Sequence, residues 1–471
     1  MPNETVHESD LTEKIEAAIA EGLRRGQSEK SRRRTAVKRR AGGAAAACLL
    51  LVACLFTIRV SPVFAAFVRE IPGFEKFVDL IASSQDKGIQ LAVDNDFLQP
   101  LGVSDEHDGM KLTVQGIIAD ESRMVVFYEV AVPAKHETVR VDTINVSDVG
   151  GTPLPAGIGY SYPQEQEQDV RESGVYRGTF DVALADGQRL PDKVIIGMKL
   201  QRVKLSDGID GAPKSSVAGS EGVPVKHPPK TGITEFKMTI PIDTAKSAGL
   251  RKEIPIGQTI RAEGQAVTFT KAVLSPLRVT LYLEFDSNNT KQIFGPGDIR
   301  LVDDKGTVWK NISGSAGTDK DRLVVHFESP YFNQPKSLTV EGSWFRALDK
   351  DEMMIQIDTE RRRLLTAPDK KLTLHMIGDT DQYVRLDFEL NGVNPDDNML
   401  YTLLEGEFTD GKGITHRMAD LKEVVSGSKE GDGPQHVYYY LDKVKYPQPL
   451  TFRIYNYPDY VRQAYRIEIH P

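Results

Sequence analysis

A chain of 471 residues is too long for a single hydrophobic core and corresponds to about three domains. Hydrophobic residues make up 40% and charged residues 27%, a balance that excludes both a polytopic membrane protein and a wholly disordered chain. The formal net charge of the chain is −8; the stretch up to residue 59 is basic, so the part beyond it is more acidic still, and so acidic a body excludes nucleic acid and anionic lipid as its partners.

The first predicted element is a helix over about 10 to 25. Asp10 and Glu13 have capping-box spacing, and Leu11, Ile15, Ile19 and Leu23 recur every fourth residue on one face. A lone helix of this length is marginal in water, so the apolar stripe calls for a partner, and these four residues are the candidate partner-binding site.

A basic flank follows from Arg24 to Arg40, interrupted by one acid, Glu29. Ala41 to Ile58 is then an uncharged run of eighteen residues. At ~1.5 Å per residue it spans roughly 27 Å, close to a bilayer core of about 30 Å. The run is predicted to be a transmembrane helix over 41–60, with the basic side cytoplasmic. Two alternatives compete with that reading. Val63, Phe64 and Ala65 resemble a signal-peptide cleavage site, and Leu51, Val52, Ala53 and Cys54 match the pattern before a lipidated cysteine. Apolar sequence continues past Cys54, which favours a retained anchor. Cys48 and Cys54 lie on different faces of that helix, and no cysteine follows, so the body must be held by its cores without disulfides.

Beyond the run, Phe64, Phe67, Ile71, Phe74, Phe77, Val78 and Ile81 predict one or two short juxtamembrane helices within 61–91, broken at Pro72 and Gly73. The basic flank, the apolar run, Ser61, Pro62, Phe64 and Ala65, then Ile71, Pro72 and Gly73, and the stretch from Gly88 to Asp120 together resemble a family of bacterial, mostly Firmicute, membrane proteins, the domain of unknown function 4179. The resemblance implies a regulator acting on an extracytoplasmic-function sigma factor, an anti-sigma factor with its N-terminus in the cytoplasm and its C-terminal domains extracellular. No cysteine precedes the run, so the zinc-binding signature of some anti-sigma factors is absent.

From residue 100 onward the pattern alternates with period two, as in Met124, Val126, Tyr128 and Val130. Residues 107–130 lie over 262–285 without a slip of register: Gly109 meets Gly264, Thr113 meets Thr268, Arg123 meets Arg278 and Glu129 meets Glu284. A second echo links 323–340 with 436–454, each an alternating strand, a proline-containing turn and another strand. Repeated strand pairs of this kind predict a mainly β chain of tandem immunoglobulin-like β-sandwiches. The expected order is a cytoplasmic segment 1–40, the spanning helix 41–60, juxtamembrane helices 61–91 and sandwiches at 92–244, 245–362 and 363–471.

The sequence holds no H-E-x-x-H, no G-x-S-x-G and no phosphate loop, and its histidines are scattered, so no enzymatic activity, cofactor or metal site is expected. Asp105, Glu106 and Asp108, and Asp396 with Asp397, lack the alternating ligand spacing of a calcium loop and read as turn acids. The expected function is therefore a single-pass membrane regulator whose cytoplasmic partner is a sigma factor. The alternative is a surface binding or structural protein, lipid-anchored at Cys54, without signalling. The extracellular ligand is not specified by the sequence.

Overall fold

The structure, a computed structural model, describes residues 86–132, 137–161, 174–204, 232–315, 321–379, 382–419, 427–429 and 433–471. The helix expected over 10–25, with Leu11, Ile15, Ile19 and Leu23, lies outside these residues, as do the run 41–60 and the juxtamembrane positions up to 85. Among the described residues no helix is long and apolar enough to cross a membrane. The fold class is corrected accordingly: the described architecture is mainly β, it contains one α-helix of eight residues, and a transmembrane helix is not supported.

That helix, α1 (Lys87–Asp94), begins at Asp86, whose Oδ1 accepts hydrogen bonds from the backbone N–H of Gly88 (2.9 Å) and Ile89 (3.2 Å). The carboxylate satisfies two of the amides that a helix N-terminus leaves open. Gly88, Ile89, Ala92 and Val93 form the buried stripe.

Three sandwiches follow. The first pairs a five-stranded sheet with a three-stranded one. Strands β1 (Leu98–His107), β2 (Met110–Ala119), β3 (Arg123–Ala131), β5 (Ala156–Ser161) and β6 (Val175–Leu184) form the larger sheet, in the order β1-β2-β3-β6-β5. The smaller runs β4 (Glu137–Ser147), β7 (Lys193–Lys204), β8 (Ile233–Pro241). Alternate residues of the two inner faces, such as Leu112, Val126 and Tyr128 against Ile196, Met198 and Phe236, share one buried core.

In the second sandwich β9 (Lys252–Ala262), β10 (Gln265–Leu274), β11 (Val279–Phe285), β15 (Asn311–Ser315) and β16 (Arg322–Phe327) form one sheet, ordered β15-β16-β11-β10-β9. The other holds β12 (Lys291–Pro296), β13 (Arg300–Asp303), β14 (Val308–Trp309) and the long β17 (Leu338–Asp349). The third sandwich is built from β18 (Met354–Asp358), β19 (Arg363–Thr366), β20 (Leu372–Asp379), β21 (Tyr383–Leu390), β22 (Leu404–Thr409), β23 (Thr415–Arg417), β24 (Gly427–Lys429), β25 (Gln435–Asp442) and β26 (Leu450–Ile454). Its sheets run β19-β18-β26-β22-β23 and β20-β21-β25-β24.

The last strand, β27 (Tyr460–Ile469), does not stay with the third sandwich. It pairs antiparallel with β17, from Leu338 opposite Ile469 to Arg346 opposite Tyr460, and buries Val461, Tyr465, Ile467 and Ile469 in the second core. The third sandwich is thus an insertion between β17 and β27 of the second.

The first two sandwiches repeat one unit, as the sequence register implies. The turns Asp108–Gly109 and Glu263–Gly264 both have positive φ (53° and 76°; 48° and 83°), the geometry of a tight hairpin that favours glycine. A bulge then falls between Val114 and Gly116 in β2 and at the matching Phe269 and Lys271 in β10. The third sandwich carries the same bulged hairpin, with the shift between Leu374 and Met376 of β20. In each case the second strand of the hairpin pairs onward with one that then crosses to the opposite sheet: β6, β16 and β25.

Candidate functional site

The hairpin tips of the first two repeats meet. Asp120 closes the β2–β3 turn: its Oδ1 accepts from Ser122 N (2.8 Å) and Arg123 N (2.9 Å). Its Oδ2 reaches across to the tip of the second repeat, accepting from Ser275 Oγ (2.9 Å) and Leu277 N (3.0 Å). Arg123 returns the contact, donating from Nη1 to the Leu277 carbonyl at 2.8 Å. The same guanidinium pairs with Asp181 and, at 2.8 Å, with Asp86. Burial alone would lower the Arg123 pKa; Asp181 and then Asp86 outweigh it and hold it well above the ordinary value.

Asp86 is also the cap of α1, so the helix is fastened to the joint by its first turn. On its other side α1 rests on the second sandwich. Glu328 Oε1 accepts from Lys87 N at 3.4 Å, Lys87 Nζ donates to the Val308 carbonyl at 3.0 Å, and a Cβ on Gly88 would lie 2.7 Å from Ser329 N.

Beside the joined tips is a cleft of about 150 Å³, lined by residues of both repeats, including Glu121, Ser122, Asp186, Arg189, Ser247, Arg251, Ser275, Arg278, Thr280 and Tyr282. The lining is polar and carries both signs of charge. Tyr282 donates to Asp186; burial first and that bond second push the phenol pKa well up. Arg278 is 5% exposed; its Nη2 donates to the Leu184 carbonyl at 3.2 Å, while Nε and Nη1 find no acceptor. Burial lowers its pKa; the charge of Asp120 opposes this, and the like charge of Arg123 adds to it. Behind it, His326 is held by Thr280 Oγ1 at 3.1 Å from Nδ1; burial followed by Arg278 and Arg123 push its pKa down to about 3, so it is neutral.

A second joint lies between the second and third sandwiches. Asp397, fully buried, accepts from Arg346 Nε (3.1 Å to each oxygen), Tyr460 Oη (3.1 Å), Tyr401 Oη and Met399 N (3.2 Å). Arg346 also lies under the Trp344 ring, 5.1 Å from its centroid, and Trp344 meets Tyr460 edge-on. Burial tends to raise the Asp397 pKa; the hydrogen bonds of Arg346 and Tyr401 outweigh it and hold the carboxyl below its usual range.

The other residues weighed from sequence have structural settings. Asp105 accepts from Lys237 N, and Asp108 from Thr234 Oγ1, so both tie β1 and its turn to β8 rather than to an ion. The histidines are less scattered than the sequence suggests: His375 and His436 meet at 5.2 Å between ring centroids, with Nδ1 atoms against Glu389 and Asp387. Among the described residues no group of three or more His, Cys, Asp or Glu is arranged to hold a metal. What sequence reasoning missed is the role of Asp120, Arg123, Arg278 and Asp397. The first three sit at matched places of the repeat, the available signal; Asp397 gave none.

Two family models match the chain. Residues 34–131 match a domain of unknown function, DUF4179, and residues 251–374 match a family of unknown function, DUF5643. They support a domain family without an assigned activity, and each match contains one copy of the repeated hairpin. No curated protein matches the chain. Among solved structures, a conserved domain protein from Bacillus anthracis is 15% identical, over 57% of this chain and 84% of its own, with a TM-score of 0.34. An uncharacterized protein from Listeria monocytogenes, determined with glucose, magnesium and calcium, is 7% identical over 72% of this chain and 29% of its own, with a TM-score of 0.11. Neither likeness informs fold or function.

Proposed function

We propose that the protein binds rather than catalyses. In this reading it is a membrane-associated negative regulator of an extracytoplasmic-function sigma factor, with its sandwiches as the ligand-sensing part and Leu11, Ile15, Ile19 and Leu23 as the contact with the sigma factor. The observation that carries it is Asp86. The side chain caps α1 and pairs with Arg123, and Arg123 holds the Leu277 carbonyl beside the cleft. The segment that leads in from the N-terminal part is thereby attached where two sandwiches share a site. A ligand that altered this joint would alter the seat of α1, which is the coupling that a regulator needs.

The sigma-factor half rests on the apolar stripe, which calls for a partner. Burying a leucine or isoleucine contributes about 1.5–3 kcal/mol, so changing Ile15 and Ile19 together to Asp weakens such a complex by roughly two to four orders of magnitude. The experiment is capture of an extracytoplasmic-function sigma factor by the full chain, wild type against Ile15→Asp/Ile19→Asp. Equal capture by both, or none by the wild type, removes the regulator reading and leaves a surface binding protein.

A further inference from the structure

We infer that the cleft between the first two sandwiches is a site for a small carboxylate ligand, seated on Arg278. The inference deepens the binding reading above and rests on it. Its ground is a difference between two copies of one structural unit. In the first copy Arg123 stands at the start of β3, and the cross-strand register sets Asp181 opposite Val125, where its carboxylate meets the guanidinium. In the second copy Arg278 takes the place of Arg123, and the same register sets His326 opposite Thr280. The carboxylate of the first copy is replaced by a neutral imidazole that bonds to Thr280. Arg278 keeps its burial but has no carboxylate hydrogen-bonded to it, Asp120 and Asp181 acting on it through their charge alone.

A guanidinium 5% exposed with two of its three nitrogens lacking acceptors is costly to maintain. Nη2 carries two hydrogens and the Leu184 carbonyl uses one, so whichever it uses, a parallel pair of N–H groups remains. Such a pair matches the two oxygens of a carboxylate. The rest of the lining limits the ligand. Ser275, Thr280 and Ser247 have their hydroxyls engaged with Asp120, His326 and the Thr244 carbonyl, which leaves the guanidinium as the ligand's seat, and the cleft of about 150 Å³ admits only a small molecule. Asp120, Glu121 and Asp186 line it together with Arg189, Arg251 and Arg278, so the lining has no surplus of positive charge to favour a doubly charged anion such as phosphate.

The test compares the thermal midpoint of the purified full chain in sodium acetate, sodium phosphate and sodium chloride at equal ionic strength. Acetate is expected to give a saturable rise of roughly a few degrees over chloride, and phosphate little or none. Two variants locate the effect. Arg278→Met removes the buried charge; it is expected to melt higher than wild type in chloride and to ignore acetate. His326→Asp restores the carboxylate of the first copy and is expected to fill the site from within, with the same two results. Equal midpoints in acetate and chloride for the wild type, or an acetate rise that survives in His326→Asp, overturn the inference even if Arg278→Met does not fold. Phosphate raising the midpoint as much as acetate overturns the carboxylate assignment. Loss of the acetate response with sigma-factor capture intact leaves the regulator reading standing, so the two fail separately.

Discussion

Asp397 offers the sharpest test of how the second and third sandwiches are joined. Replacing it with Ala removes a fully buried carboxylate that answers Arg346, Tyr401, Tyr460 and the Met399 amide, and leaves Arg346, itself mostly buried, without a counter-charge. Breaking a buried pair from one side costs about 3–5 kcal/mol, chiefly the penalty of the stranded charge. For a unit of this size each kcal/mol lowers the midpoint by roughly 2–4 °C, so a fall of roughly 6–20 °C is expected. Tryptophan fluorescence is a suitable assay, because the chain has 2 tryptophans. Trp344 packs on Arg346 and Tyr460 at the joint, while Trp309 is buried in the second core. A variant that removes both charges, Arg346→Met with Asp397→Leu, should recover most of the loss. If Asp397→Ala melts within 1 °C of wild type, the joint is not held by this cluster and the reasoning fails.

Acid should act on the same joint: the Asp397 pKa is depressed by folding, so its contribution is complete above the unfolded carboxyl range near 3.9 and is lost as the pH falls through the folded value below that. His326 acts at milder pH. Its folded pKa, about 3, lies below the unfolded value near 6.5, so stability falls with pH from about 6.5 downward, and between pH 7 and pH 5 the wild type should lose about 2 kcal/mol relative to His326→Gln in urea titrations. Parallel curves for the two proteins would show that His326 is not buried neutral. Asp86→Ala removes the cap of α1 and a partner of Arg123, and should cost more than the ~1 kcal/mol of an ordinary cap; hydrogen exchange over Lys87–Asp94 should rise while β2 and β10 stay protected. Gly88→Ala pushes a methyl against Ser329 N and to 3.2 Å from the capping Asp86 Oδ1, and should loosen the same helix by roughly 1–3 kcal/mol.

The repeat was legible because its turns demand particular residues. Gly109 and Gly264 must take positive φ, and the alternation on either side fixes which face is buried, so two distant segments could be aligned and later found to share even their bulges. The third copy of the hairpin was not legible: β19 does not pair with β20 in its sheet, so the glycine turn that marks the other two has no counterpart there. The expected module 363–471 also could not reveal where β27 goes, because a strand with Val461, Tyr465, Ile467 and Ile469 inward reads alike against either core. As for the site, the match of Arg123 with Arg278 is visible in the sequence, but their different fates depend on Asp181 and His326, which enter only through the pairing of β3 with β6 and β11 with β16. Asp396 and Asp397 look alike in a row of turn acids; one is exposed and the other lies at 0% exposure between two domains.

The return of the chain into the second sandwich sets an order of assembly. A ribosome releases β17 long before β27, and in that interval the long strand presents an open edge on the side that β27 later covers. The inserted sandwich has both of its sheets complete by Ile454 and can close first, bringing the flanking segments side by side. Only then does the final strand dock and fill the core with Val461 and Ile467. A nascent chain interrupted between Ile454 and Tyr460 would therefore carry a finished outer module on an unfinished inner one, with the edge of β17 open to another strand.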